Sequence, residues 1–169
     1  SQTFDVLVVG GGNAALCAAM TAREAGGSVL ALECAPYDFR GGNSRHTRNL
    51  RYVHNQGNSF LTGPYDEQEF FDDLLRVTGG QTNTLLARFA LRESNNIGEW
   101  MQAHGCRFQP AMHGTLHLAR TNAFFLGGGK ALINAYYAHA ENLGVEIRYG
   151  AEVRDLEIRN GRFISATVV

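Results

Sequence analysis

The sequence has few cysteines, no long apolar run and almost no net charge, and each shortage excludes a class of protein. Its three cysteines, Cys17, Cys34 and Cys106, form no C-x-x-C pair, so a disulfide framework is not expected and a reducing cytoplasm is favoured. The formal net charge of −1 gives no overall attraction to nucleic acid or to an anionic membrane. No apolar stretch approaches the roughly 20 residues that span a bilayer. We therefore expect a cytoplasmic protein without a nucleic-acid partner.

The most informative feature that is present is a glycine-rich turn near the start. Residues 4–9 form an apolar, β-branched run typical of a buried parallel strand, and residues 10–15 then read G-x-G-x-x-A. Residues 13–25 contain no proline or glycine and are predicted to form a helix. Such a turn lets a pyrophosphate approach the N–H groups at the positive end of the helix. The predicted dinucleotide site here comprises Gly10, Gly12, Asn13, Ala14 and Ala15.

A second predicted strand, over residues 28–32, ends at Glu33. Glu33 follows Gly12 at about the 20-residue spacing at which an acid binds the ribose hydroxyls of a dinucleotide. These elements follow one another in the order strand, glycine turn, helix, second strand and acidic residue. This order predicts a Rossmann-like α/β domain. The alternative is a glycine-rich turn with a solvated Glu33.

The second set of candidate binding residues lies in a basic loop over residues 40–51. It reads RGGNSRHTRNLR, so glycine, asparagine, serine and threonine offer hydrogen-bond donors while arginine and His46 offer positive charge. These groups suit phosphate or carboxylate oxygens. A solvated basic loop is the alternative.

The middle of the chain is predicted to be a helical insertion. A helix with an acidic first turn should follow Asp66 and stop at Gly79. A second helical stretch, capped by Thr82 or Asn83, should run to Gly105. Its repeating apolar residues are interpreted as core: Leu85, Leu86, Phe89, Ile97, Trp100 and Met101.

Residues 112–120 are the one ambiguous strand-like segment. In a strand, His113, Thr115 and His117 would share one face. No third metal ligand is close in sequence, so a metal site is not predicted. A polar face lining a cleft and ordinary surface polarity both remain open.

The last part of the chain is predicted to be a helix, a strand and a hairpin. Gly127-Gly128-Gly129 should start a helix that closes at Gly144, and residues 145–149 alternate as a strand. Asn160-Gly161 between two apolar segments is a strong signal for a two-residue hairpin turn.

These motifs together resemble a known family. The combination of Gly10-Gly11-Gly12, Glu33 and Gly41-Gly42-Asn43-Ser44 resembles the FAD-binding domain of the fumarate reductase and succinate dehydrogenase flavoproteins. The longer string over residues 41–51, with residues 12–17 before it, is similar to the branch that contains FAD-dependent tricarballylate dehydrogenase. The resemblance implies a flavoenzyme that oxidises tricarballylate to cis-aconitate. The alternatives are a fumarate reductase-like enzyme, a precorrin-3B synthase-type flavoprotein and an NAD-binding Rossmann module without turnover.

The resemblance also implies roles for individual residues. Glu33 would bind the adenosine ribose, and the backbone of Val153 would meet the adenine edge. Gly42, Asn43 and Ser44 would lie along the pyrophosphate and flavin. His46-Thr47 matches the pair that carries a covalent flavin in membrane-bound members, but Arg45 stands where those members have serine, so covalent and non-covalent binding both remain open. Arg48 and Arg51 are the candidates for the carboxylates of the substrate.

The family pattern continues beyond what this sequence contains. The capping domain and the C-terminal flavin segment of the family have no counterpart here, so residues 1–169 are expected to be a partial FAD-binding domain without a catalytic residue and inactive alone. The resemblance further implies a membrane-bound iron–sulfur partner that exchanges electrons with the flavin.

Overall fold

The structure is a computed structural model that describes residues 2–114 and 117–169. Its strands are β1 (Val6–Val9), β2 (Val29–Glu33), β3 (Asn49–Leu50), β4 (Ala123–Phe124), β5 (Glu146–Tyr149), β6 (Val153–Arg159) and β7 (Arg162–Val168). Its helices are α1 (Asn13–Glu24), α2 (Glu67–Thr78), α3 (Thr84–Glu93), α4 (Ile97–Ala103) and α5 (Gly128–Leu143). The chain forms two compact units, Ser1–His46 with Ile133–Val169, and Thr47–Leu132. No helix in the described part of the chain is both long and apolar enough to cross a membrane.

The first unit is built on a parallel sheet with the strand order β1-β2-β5. The central strand β2 is buried at all five positions, as expected of a strand with neighbours on both sides. Helix α1 connects β1 to β2 and buries Leu16, Ala19 and Met20. The predicted strand–helix–strand unit and the α/β class are confirmed.

The two faces of β2 have different roles. Because side chains alternate along a strand, Val29, Ala31 and Glu33 share one face. Leu30 and Leu32, on the opposite face, pack with Ala151 and with the half-buried Phe4, Leu7 and Val153. Glu33 is therefore directed away from this apolar cluster.

Arg23 connects the ends of the two helices of this unit. Its Nε donates to the carbonyl of Leu143 at 2.8 Å, at the end of α5, and its Nη1 donates to the carbonyl of Gly27 at 3.2 Å. A cation at a helix C-terminus satisfies the last carbonyls and complements the negative end of the helix dipole.

The hairpin predicted at Asn160-Gly161 is also confirmed. Strands β6 and β7 pair antiparallel on either side of it, and both turn residues have positive φ, 51° and 73°. This is the backbone of a type I′ turn, in which asparagine followed by glycine is the favoured pair.

In the second unit, helix α2 has the predicted boundaries. The carboxylate of Asp66 caps its first turn by accepting from the backbone N–H of Glu69 at 2.8 Å. Gly79 ends it in the left-handed conformation with φ 61°. Asn83 caps α3 in the same way, with a bond from the N–H of Leu86.

The prediction of one long helix over residues 83–105 is wrong. A 3-10 turn at Ser94–Asn96 separates α3 from α4. The hydroxyl of Ser94 accepts from the N–H of Val53 and donates to the carbonyl of Leu91, and both bonds lie at this break between the two helices.

The prediction that Leu85, Leu86 and Phe89 lie in the core is wrong as well. Leu91 of α3 packs against Val53 and Phe71, with Ala87 beside it. Residues 87 and 91 lie roughly opposite residues 85 and 89 on a helix with 3.6 residues per turn. Leu85 is consequently 85% exposed, and Leu86 and Phe89 are exposed too.

The strand-like interpretation of residues 112–120 fails in the described residues. His117 is left-handed with φ 45°, and Leu118–Arg120 form a 3-10 turn. A strand needs extended backbone, which the bond from the N–H of Arg120 to the carbonyl of His117 excludes. Thr115, the middle residue of the predicted face, lies outside the described residues.

We predict that Asp66→Ala destabilises the second unit by about 1 kcal/mol, because the first turn of α2 loses its cap. Urea unfolding of the wild type and the variant measures this change. Asp72→Ala is the matched control, since its exposed carboxylate accepts a bond from Gln68 on the same helix. Equal losses from the two variants would contradict a specific capping role.

Candidate dinucleotide-binding site

The glycine turn connects β1 to α1 at the carboxyl end of the sheet. Gly10 has φ 110°, which only glycine adopts without strain, and its N–H bonds the carbonyl of Leu32 at 2.7 Å. Gly12 then precedes α1 as its N-cap, without a capping side chain and with no acidic residue in the first turn. The positive end of α1 thus faces no carboxylate of its own first turn, which suits a bound anion.

The basic loop meets this helix end through Ser44. Its hydroxyl oxygen accepts from the backbone N–H of Asn13 at 3.3 Å. Gly41 supports the approach, because its φ is 103° and a side chain there would lie 2.6 Å from Ile133 of α5. The structure therefore brings the predicted residues Asn13 and Ser44 together. Gly42, Asn43 and His46 are exposed in the same unit, and their predicted cofactor contacts stay predictions.

Glu33 lies at the carboxyl end of β2 and is only 5% exposed. Its Oε1 accepts from the N–H of Ala35 at 2.8 Å and from the thiol of Cys34 at 3.5 Å. The thiol pKa of Cys34 is raised, first by its hydrogen bond to Glu33 and then by the charge of that carboxylate. Glu33 is therefore not the ordinary solvated strand end of the alternative interpretation.

Gly11 and Tyr137 belong to this site, and the sequence interpretation missed both. A Cβ at Gly11 would overlap the hydroxyl of Tyr137 and the carboxylate of Glu33. The Tyr137 hydroxyl donates to the carbonyl of Gly11 at 2.8 Å, and burial, followed by the nearby Glu33 charge, raises the pKa of Tyr137. The run of three glycines, one more than the fingerprint requires, was the available signal for Gly11.

Two of the four loop arginines, Arg40 and Arg45, make their contacts within the first unit. The guanidinium of Arg40 lies 3.7 Å from the ring centroid of Tyr37, donates to that residue's carbonyl at 2.7 Å and reaches Asn134 at 2.9 Å. Arg45 donates to the carbonyl of Asp38 at 3.1 Å. Both arginines order the loop around the end of β2.

Val153 is anchored to the same strand end through its neighbours. The N–H of Ala151 donates to the carbonyl of Glu33 at 3.0 Å, and the N–H of Gly150 donates to the carbonyl of Ala35 at 3.1 Å. The segment leading to Val153 thus continues beside the segment that follows Glu33. The predicted adenine contact of Val153 stays a prediction.

The two arginines predicted to bind substrate lie in the second unit. Arg48 is exposed. The Nε of Arg51 donates to the side chain of Asn122 at 3.2 Å, and its Nη1 lies 3.6 Å from a carboxylate oxygen of Asp73. Arg51 is therefore partly neutralised within its own unit.

We predict opposite outcomes for substitutions at two adjacent glycines. A Cβ at Gly12 would have its nearest neighbour, the carbonyl oxygen of Gly41, at 3.7 Å, so Gly12→Val should fold but lose FAD because the side chain fills the space for pyrophosphate. Gly11→Ala should lower stability by about 1–3 kcal/mol, as is typical of overpacking. Thermal unfolding and flavin content measure the two effects. Full FAD content in folded Gly12→Val would contradict the assignment.

Comparison with known proteins agrees with this geometry. A probable fumarate reductase, Ifc3, from Shewanella frigidimarina is 27% identical over 173 residues, covering 100% of this chain and 29% of that protein. The crystal structure of 3-ketosteroid-Δ4-(5α)-dehydrogenase from Rhodococcus jostii RHA1 superposes with a TM-score of 0.82 at 19% identity, covering 98% of this chain and 42% of that one. The open conformation of a flavocytochrome c3 fumarate reductase gives a TM-score of 0.78 at 23% identity, covering 99% and 30%.

The chain thus spans less than half the length of these relatives, and the similar structures establish the fold. Residues 5–169 match the family described as the FAD binding domain. This match favours FAD over the nicotinamide alternative and supports the resemblance to the fumarate reductase and succinate dehydrogenase flavoproteins, whereas the relatives described above do not identify the tricarballylate branch. The chain belongs to the FAD binding domain family.

Proposed function

We propose that this chain is the FAD-binding portion of an oxidoreductase that acts on a carbon–carbon bond beside carboxylates, in the manner of a fumarate reductase. The observation that carries the proposal is the start of α1, which has a glycine N-cap and no acidic residue in its first turn, together with the buried carboxylate of Glu33. These two groups suit the pyrophosphate and the adenosine ribose of a dinucleotide. The 27% identity to a probable fumarate reductase supports the reaction class.

The residues of the first unit fit FAD by their chemistry. The N–H groups at the start of α1 would bind the pyrophosphate, with the Ser44 hydroxyl beside them. Glu33 already has its Oε1 fixed by Ala35, and each carboxylate oxygen can accept a further bond from a ribose hydroxyl. Bound FAD would supply two-electron chemistry at the carbon–carbon bond, as the hydride acceptor when the substrate is oxidised and as the hydride donor when it is reduced.

The substrate we propose is a small polycarboxylate, with fumarate and succinate as the first candidates. Tricarballylate is the second, because the basic string over residues 41–51 resembles that branch. Arg48 is the better candidate for a substrate carboxylate, since it is exposed while Arg51 is engaged with Asp73 and Asn122. Guanidinium groups bind carboxylates with two parallel hydrogen bonds.

The cellular setting is also a proposal. An iron–sulfur protein at the membrane would exchange electrons with the flavin, and the flavoprotein itself would be cytoplasmic. Both statements follow from the family resemblance and from the composition.

The full-length protein provides the first test of cofactor and substrate. We expect a flavin absorption spectrum at one FAD per chain. We further expect fumarate reduction with reduced methyl viologen, or oxidation of succinate or tricarballylate with an artificial acceptor. If the protein binds FAD but turns over neither fumarate, succinate nor tricarballylate, the proposed substrate class is overturned and the proposed cofactor stands. Acid precipitation distinguishes covalent flavin, which stays with the protein at His46, from FAD that is released.

Arg48→Ala tests the substrate contact. Losing a charged hydrogen-bonded pair should raise KM about tenfold or more, corresponding to about 1.5–3 kcal/mol. Arg92→Ala, which removes an exposed arginine from the last turn of α3, is the charge-matched control. If KM stays within twofold of wild type in both variants, Arg48 does not contact the substrate and is a solvated charge.

A further inference from the structure

Tyr137 occupies an unusual position for a core residue. It lies on α5, is 2% exposed, and its hydroxyl donates to the carbonyl of Gly11, 126 residues earlier in the chain. The same hydroxyl and the Oε2 of Glu33 both occupy the space where a Gly11 side chain would be. The Tyr137 hydroxyl therefore lies beside both the glycine turn and Glu33, the last residue of β2.

The two carboxylate oxygens of Glu33 have different surroundings. Oε1 accepts from the N–H of Ala35 and from the Cys34 thiol. Oε2 and the Tyr137 hydroxyl oxygen both border the space that a Gly11 Cβ would take, and the hydroxyl proton is donated to the Gly11 carbonyl. Backbone and thiol donors thus fix one oxygen, and the phenol lies beside the other.

We infer that Tyr137 is a positioning residue, which holds the Glu33 carboxylate in the orientation that binds the adenosine ribose. The inference rests on the proposed ribose contact of Glu33. Packing alone does not require the hydroxyl, because a phenylalanine ring would fill the same space without introducing a buried polar group that needs partners. The Tyr137 hydroxyl lies instead beside the Gly11 carbonyl and the Glu33 carboxylate, the two groups that shape the site.

The neighbouring tyrosine supplies a matched control. Tyr149 ends β5, and its ring lies 5.9 Å from that of Tyr137. Its hydroxyl, however, lies 3.4 Å from a carboxylate oxygen of Glu141. Tyr149→Phe therefore removes a phenol hydroxyl from the same aromatic cluster without changing the hydroxyl beside Glu33.

The test compares ADP with 2′-deoxy-ADP by calorimetry on the full-length protein after removal of FAD. The wild type should prefer ADP by about tenfold or more, as expected for a hydroxyl bound to a carboxylate. Tyr137→Phe should reduce this preference at least threefold, because the Glu33 carboxylate loses its alignment. If Tyr137 had a purely structural role, the variant would bind ADP and 2′-deoxy-ADP more weakly by the same factor. Tyr149→Phe should keep the wild-type preference. The phenylalanine retains the ring and its packing, so both variants are expected to fold, and thermal unfolding checks this.

Glu33→Gln separates failure of this inference from failure of the proposed ribose contact. If Glu33→Gln leaves the preference for ADP unchanged, Glu33 does not bind the ribose and both statements are overturned. If Glu33→Gln lowers the preference and Tyr137→Phe does not, the ribose contact stands and the role of Tyr137 is overturned. If Glu33→Gln and Tyr137→Phe both lower the preference for ADP and Tyr149→Phe does not, the positioning role of Tyr137 is supported.

Discussion

The first unit depends on a close three-way contact between the glycine turn, the end of β2 and α5. At Gly11 the backbone approaches both the Tyr137 hydroxyl and the Glu33 carboxylate so closely that no side chain fits between them. The bond from Tyr137 to the Gly11 carbonyl fixes that approach. Because α1 begins directly after the turn, the same contact sets where the positive end of α1 lies. The proposed pyrophosphate and ribose contacts thus depend on one packing constraint.

Burying Glu33 at this contact is costly unless its carboxylate has partners. The N–H of Ala35 provides one, and the chain direction after β2 is what presents that N–H. The Arg40 guanidinium lies 4.8 Å from the ring centroid of Tyr137, and its positive charge acts to lower the pKa of that phenol, opposing the larger effects of burial and Glu33. An acid, a phenol and a cation thus form one compact polar group at the carboxyl end of the sheet, the end at which open α/β sheets bind their ligands.

The parts of the fold that sequence predicted are those with local signals. The G-x-G-x-x-A turn, the cap at Asp66 and the Asn160-Gly161 hairpin each depend on backbone preferences within a few residues. Tyr137 could not be identified in this way, since its partner Gly11 is 126 residues distant and the fingerprint leaves the middle position free. The exposed face of α3 was missed for a related reason. Helical periodicity locates an apolar stripe, but the tertiary partner decides which stripe is buried, and here Val53 and Phe71 select Leu91.

The electrostatics of the second unit distinguish two arginines that the sequence treats as equivalent. Asp73 accepts from the Tyr65 hydroxyl at 2.7 Å, pairs with Arg76 and lies 3.6 Å from Arg51. Burial and then Asp73 raise the pKa of Tyr65 to about 12, so the phenol remains a proton donor to this carboxylate at neutral pH. The positive charge of Arg51 therefore has a fixed counter-ion, and binding a substrate carboxylate there would mean competing with Asp73. Arg48 is exposed, so it is the better candidate for an anion contact in this loop.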